Sequence, residues 1–154
     1  MKTLVAYYSR TGTTKKVAEA LVEKLGAEIE EIKDTVDRSG AKGYLLAGRD
    51  AMQKRLTVIA PVKFNPADFE LVIVGTPIWA WNLAAPVRTY LTEQKDNFPR
   101  VAFFCTMGGS GDDKAAAEAE KIIGKKISAL LALKTVEVVK NEFIDKLDKF
   151  AAEA

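Results

Sequence analysis

From Leu4 to Tyr8 the chain is apolar without a break, and beyond a hydroxyl-rich turn apolar residues return as Val17, Ala18, Leu21, Val22 and Leu25. A continuous run followed by spacings of three and four residues is the pattern of a buried strand that feeds an amphipathic helix. The strand is expected over about Lys2 to Tyr8 and the helix over about Thr13 to Leu25. Gly26 follows where a left-handed cap residue closes a helix. Two more continuous apolar runs, Leu71-Val72-Ile73-Val74 and Val101-Ala102-Phe103-Phe104, read as strands covered on both faces. With the first run they predict the centre of a sheet.

The flanking segments are more polar. Ala27 to Lys33 separates Ile29 and Ile32 by acids, as suits an edge strand, and Thr135 to Val139 carries Glu137 in its middle. The latter is taken as the fifth strand, at the opposite edge. Between the strands lie helical patterns: Pro86 at a tolerated first-turn position before Val87, Tyr90 and Leu91, then Ala116, Ala119, Ile123, Ile127 and Leu130 at helical spacing. Asp112 and Asp113 are candidate caps for that fourth helix, and Asn141 for a last helix with Phe143, Ile144, Leu147 and Phe150 on its apolar face. Strands alternating with helices predict one α/β domain over residues 1 to 154, a three-layer fold with a five-stranded parallel sheet in the order 2-1-3-4-5.

Residues 34 to 66 exceed a simple crossover. Leu45, Gly48 and Met52 predict a helix from about Gly43 to Arg55, then extended chain from Leu56 to Val62 and a turn at Asn65-Pro66. The segment is either ordinary packing or a lid beside a ligand.

Composition narrows the chemistry. The 154 residues, 48% hydrophobic and 29% charged, suit a globular domain of ordinary make-up. The single cysteine excludes an intrachain disulfide, and the absence of histidine removes the commonest acid-base group and metal ligand. No metal site and no catalytic side chain is expected. The net charge is +2, with both signs interspersed, which gives no support for nucleic-acid binding. No run is long enough for a membrane span or a secretory segment, so a cytoplasmic protein is expected. Cys105 ends a buried strand and reads as a core thiol.

In such a sheet, ligands bind beyond the carboxyl ends of the strands, where crossovers change direction. Three loops meet there: Ser9 to Thr14, Thr76 to Asn82, and Thr106 to Asp112. In the first, Ser9, Thr11, Thr13 and Thr14 offer hydroxyls, Gly12 allows close backbone approach, and the helix N-terminus favours an anion. The loop is neither G-x-x-x-x-G-K-[ST] nor G-x-G-x-x-G, and no Cys-x5-Arg loop occurs in the chain, so a simple phosphate ester is a better guest than a triphosphate or pyrophosphate. Arg10 adds a cation that either neutralises the phosphate or faces outward. The second loop holds Thr76, Pro77, Ile78, Trp79, Ala80 and Trp81, and one of its tryptophans is expected to lie on something flat. The third, with Thr106, Met107, Gly108 and Gly109, is open enough for backbone to lie against a planar ring, so that two loops sandwich it.

The spacing of Ser9, Thr11, Gly12 and Thr14 resembles the FMN-phosphate loop of the flavodoxin family, and the resemblance extends over essentially the whole chain. It implies FMN as cofactor, with Trp79 at the place of a stacking tryptophan and the three loops as the binding residues. Gly-Thr-Pro-Ile-Trp-Ala-Trp, followed by Ala85-Pro86-Val87-Arg88, is nearer to flavodoxin-like proteins of anaerobic microbes than to the acidic electron carriers. The third loop lacks the family's aspartate and stacking tyrosine. Ala80 stands where many flavodoxins have glycine, and its side chain is expected to disfavour positive φ. The resemblance implies an electron carrier, monomeric or weakly dimeric, that works with redox partner proteins. The alternative is an FMN-dependent NAD(P)H or quinone oxidoreductase. A phosphorelay receiver of the same topology is discounted, because Tyr8-Ser9 and Gly75-Thr76 stand where it needs acids.

Overall fold

The computed structural model describes residues 1–154. In chain order the elements are β1 (Thr3–Tyr7), α1 (Thr13–Leu25), β2 (Glu28–Glu31), α2 (Gly40–Met52), β3 (Leu71–Trp79), β4 (Asn82–Leu83), α3 (Ala85–Gln94), β5 (Arg100–Met107), α4 (Asp112–Ile123), β6 (Leu130–Lys134), α5 (Thr135–Val139) and α6 (Ile144–Glu153). A short 3-10 turn, Pro66–Asp68, begins where Asn65 accepts the N–H of Ala67.

The three apolar runs do pair at the centre. The parallel order is β2-β1-β3-β5-β6, with the two-residue β4 joined antiparallel to β3 as a sixth strand. Apart from that hairpin, this is the expected 2-1-3-4-5 order. Leu4 pairs with Val72, and Val72 with Val101, so residues of the same kind share a row across the sheet. Side chains alternate between two apolar layers. Val5, Tyr7, Ile73 and Phe104 face α1 and α6 through Val17, Leu21, Leu147 and Phe150, while Leu4, Val72, Val74 and Phe103 face α3 and α4 through Val87, Leu91, Ala115 and Ala119. No helix is long and apolar enough to cross a membrane.

Several boundaries differ from the sequence pattern. Thr135–Val139 is not the fifth strand but a short helix, and the strand is the preceding Leu130–Lys134. Gly124 closes α4 at Ile123, so Ile127 and Leu130 do not continue that helix. The apolar run from Ala129 to Leu133 then buries both faces, Leu131 and Leu133 on one side with Leu130 and Ala132 on the other. Pairing with β5 outweighs the helical preference of leucine. Glu137, read as a polar strand residue, instead accepts the N–H of Lys134 and caps α5. Asn141, with φ of 58°, stands just past the end of α5, and α6 begins beyond it after Phe143. Asp112 and Asp113 lie in the first turn of α4, whose cap residue is Gly111.

The helix predicted from about Gly43 to Arg55 runs three residues earlier. It is fastened by Arg38, nearly fully buried, which donates from Nε to Asp34 at 2.6 Å and from Nη1 to Asp50 at 2.9 Å. Burial works against the charge on Asp50, yet the hydrogen bonds and charges of Arg38 and Arg49 hold its carboxyl below the usual range. Behind α2, Ile59 bridges to Asp34, and the buried carboxylate of Glu30 on the edge strand accepts the N–H groups of Lys63 and Phe64. The long segment therefore covers the β2 edge and brings α2 to the carboxyl end of the sheet.

Candidate functional site

The first loop folds back on itself because Gly12, at φ of 98°, lets its N–H reach the hydroxyl of Ser9 at 3.0 Å. Helix α1 starts at the next residue with no side-chain cap and no acid in its first turn. The N–H of Gly12 is thus occupied, and helix geometry leaves those of Thr13, Thr14 and Lys15 without intrahelical partners. Thr14 is buried and its hydroxyl lies 2.8 Å from that of Thr106, at the end of β5. Arg10 is held by the chain at the start of α2. Its guanidinium donates to the carbonyls of Arg38 and Gly40 and lies against the ring of Tyr44 at 5.7 Å, tying the first loop to the start of α2.

The second loop is mostly strand. β3 continues to Trp79, and pairing of Ile78 with Leu83 and of Trp79 with Asn82 leaves Ala80-Trp81 as a two-residue turn. Such a turn requires positive φ at both positions, and Ala80 and Trp81 stand at 46° and 63°. The expectation that Ala80 avoids positive φ is overturned, since hairpin closure outweighs the clash of its Cβ and Asn82 Nδ2 holds the Ala80 carbonyl at 2.7 Å. Thr76 is fully buried, accepting from the N–H of Ala84 and donating to the Pro77 carbonyl, so it shapes the hairpin. Trp79 packs edge-on against Tyr8, centroids 5.4 Å apart, with the Arg38 guanidinium 5.5 Å from its ring. Burial, then the charge of Asp34, pushes the Tyr8 phenol up to about 12, against the opposing effect of Arg38 and Arg10. Trp81 is 63% exposed.

The third loop closes against the second. A Cβ on Gly111, itself at φ of 115°, would come within 2.8 Å of Ile78 Cγ2 and 2.9 Å of Trp81 Cα. There is no slot for a flat ring at that contact. Gly109 is exposed and outside the cleft, whereas Thr106, Met107 and Gly108 line it. Cys105 is fully buried, and burial with Asp112 and Asp113 nearby pushes its thiol up to about 12, as a core residue.

Two cavities that share wall residues result. One, of about 190 Å³, is walled by Arg10, Thr11, Thr13 and Thr14 of the first loop, by Pro77, Ile78 and Trp79, and by the end of β5. The other, of about 460 Å³, lies between α2 and the hairpin and is largely apolar, with Leu45, Met52, Trp79, Ala80 and Trp81 around it. The first offers hydroxyls and free N–H groups to an anion, and the second offers flat apolar surface. Sequence reasoning did not single out Tyr44, which lines both, or Thr135, which donates to the Met107 carbonyl at the rim of the first. The stripe Tyr44, Leu45, Gly48, Met52, apolar on an exposed helix face, was the available signal.

The family model described as flavodoxin matches residues 2–143. Among solved structures, a flavoprotein from Lactobacillus acidophilus NCFM in complex with FMN is 27% identical, with 90% of this chain and 97% of that chain covered and a TM-score of 0.73. A candidate flavoprotein from Bacteroides eggerthii DSM 20697 is 24% identical over 97% and 98% of the two chains, with a TM-score of 0.77. An NADH:FMN oxidoreductase in its apo form shares the fold at 14% identity, covering 99% and 89%, with a TM-score of 0.54. No curated protein sequence matches the chain.

Proposed function

The chain belongs to the flavodoxin family, and from that premise we propose that it holds one non-covalent FMN and carries electrons between redox partner proteins. The observation that carries this reading is the uncapped, acid-free N-terminus of α1, ringed by threonine hydroxyls and sharing Tyr44, Ile78 and Trp79 with an aromatic-walled apolar space. That donor set suits a phosphate monoester at one end and a flat ring at the other. The FMN-bound relative supports the same ligand.

Bound FMN supplies the electron-transfer chemistry, while the chain binds, orients and shields it. Thr11 and Thr13 line the cleft and would donate to phosphate oxygens, and Thr14 would do so with Thr106 as the donor in their shared hydrogen bond. Arg10 acts at one remove, holding the first loop against α2. Ile78, Trp79 and the Ala80-Trp81 turn present the apolar surface. No histidine or reactive thiol is available to the site for proton transfer, consistent with a carrier whose chemistry resides in the cofactor.

Titrating the protein with FMN and following flavin fluorescence tests the binding, with quenching expected at one equivalent and riboflavin held more weakly. Absence of quenching ends the reading. Reduction of the complex by dithionite but not by NADH or NADPH is expected of a carrier. Rapid bleaching by either nucleotide alone would assign the protein to the oxidoreductases instead.

A further inference from the structure

The two cavities share three residues, Ile78 and Trp79 from β3 and Tyr44 from α2. Ile78 and Trp79 make one wall at the junction, and Tyr44 is the one aromatic that α2 contributes to the other. The third loop supplies no aromatic side chain, and at Gly111 it presses directly on Ile78 and Trp81. A flat ring that spans both cavities therefore lies against Tyr44, Ile78 and Trp79.

Tyr44 is 66% exposed and shares one cavity wall with the exposed Leu45, Met52 and Trp81, a contiguous apolar surface of the kind that a ligand or partner covers. Its surroundings hold it in place. Arg10 lies over the ring at 5.7 Å and is itself bound to the carbonyls of Arg38 and Gly40, while Arg38 fixes the helix through Asp34 and Asp50. An aromatic anchored this way loses little freedom when it stacks, so it is pre-organised for a planar guest.

We propose that Tyr44 supplies the second aromatic face of the ring site, so that the isoalloxazine lies between α2 and the end of β3. This rests on the FMN reading above. It gives the 34–66 segment a ligand-facing role, and it makes α2 the element that selects a planar heteroaromatic phosphate over a non-aromatic one.

The experiment titrates wild type, Tyr44→Ala and Tyr44→Phe with FMN and with riboflavin, alongside visible circular dichroism of the bound flavin and sedimentation. Because the proposal sets Tyr44 against the ring, Tyr44→Ala should weaken both ligands by a similar factor, roughly 2- to 10-fold. The visible dichroism should change, and Tyr44→Phe should restore both affinities. Wild-type binding with Tyr44→Ala unchanged in affinity and dichroism overturns this inference alone. Failure of the wild type to bind FMN overturns the reading beneath it as well. If Tyr44→Ala dissociates a dimer without touching FMN affinity, the groove belongs to a second copy of the chain and the proposal falls.

Discussion

The hydroxyl oxygens of Thr14 and Thr106 lie 2.8 Å apart, joining the first turn of α1 to the end of β5 across 92 residues of sequence. A hydroxyl donates one proton and accepts at two lone pairs, so donation from Thr106 leaves the Thr14 proton available to an anion beside it. The pair thus couples the phosphate loop to the third loop. Thr14→Ala should cost about 1–3 kcal/mol of FMN affinity, the range for a hydrogen bond to a charged group, and leave riboflavin nearly unaffected. Calorimetric titration with the two ligands checks the contrast, and equal losses would reduce Thr14 to a structural role.

The tryptophans should separate as clearly. Trp79 is half-buried, lines both cavities and rests on Tyr8, whereas Trp81 is mostly exposed at the turn. Trp79→Ala should therefore lose more FMN affinity than Trp81→Ala, by about 0.5–1.5 kcal/mol for the aromatic contact beyond its area. A fluorescence titration that ranks them in the opposite order would place the ring on the outer side of the turn.

Removing Arg38 should be expensive even in the absence of ligand. Its side chain is 2% exposed and bridges two carboxylates, so Arg38→Ala strands the buried Asp34 carboxylate and leaves Asp50 only the half-exposed Arg49 as counter-charge. Loss of one partner from a buried ion pair costs about 3–5 kcal/mol. Urea unfolding measures the total. Hydrogen exchange should show the protection loss concentrated in α2, and a change below 1 kcal/mol would mean that the segment does not depend on this bridge.

Stability should fall at both ends of the pH range. Asp50 and Glu118 ordinarily titrate near 3.8 and 4.5; despite opposing desolvation, Arg38 with Arg49, and Arg88 with Lys54, hold them lower in the folded chain. Their contribution is complete above those ordinary values and is lost as pH falls through the depressed ones. Cys105 and Tyr8 are raised by burial from 9.0 and 10.0 to about 12, so their contribution is complete below the ordinary values and lost as pH rises towards 12. Thermal midpoints across the range should form a plateau with an acid and an alkaline limb. A flat acid limb would remove the carboxylates from the argument.

Much of this protein was decided by sequence alone. Continuous apolar runs at Leu4–Tyr7, Leu71–Val74 and Val101–Phe104, short and rich in β-branched and aromatic residues, match strands covered on both faces, and the helical spacing between them gives crossovers, hence the layers and the parallel centre of the sheet. The hydroxyl loop was also legible, because strand, glycine turn and helix follow one another locally. What sequence could not decide were outcomes set by distant partners. Leu130–Lys134 is a strand because β5 offers it an edge, and Ala80 accepts positive φ because two strands on either side must pair. Gly111 closes one slot by meeting Ile78 and Trp81, and Arg38 draws α2 to the cleft so that Tyr44 stands beside Trp79. Hydrophobic period and turn chemistry act within a few residues and can be read in order along the chain. The walls of a cleft come from segments tens of residues apart, and only packing brings them together.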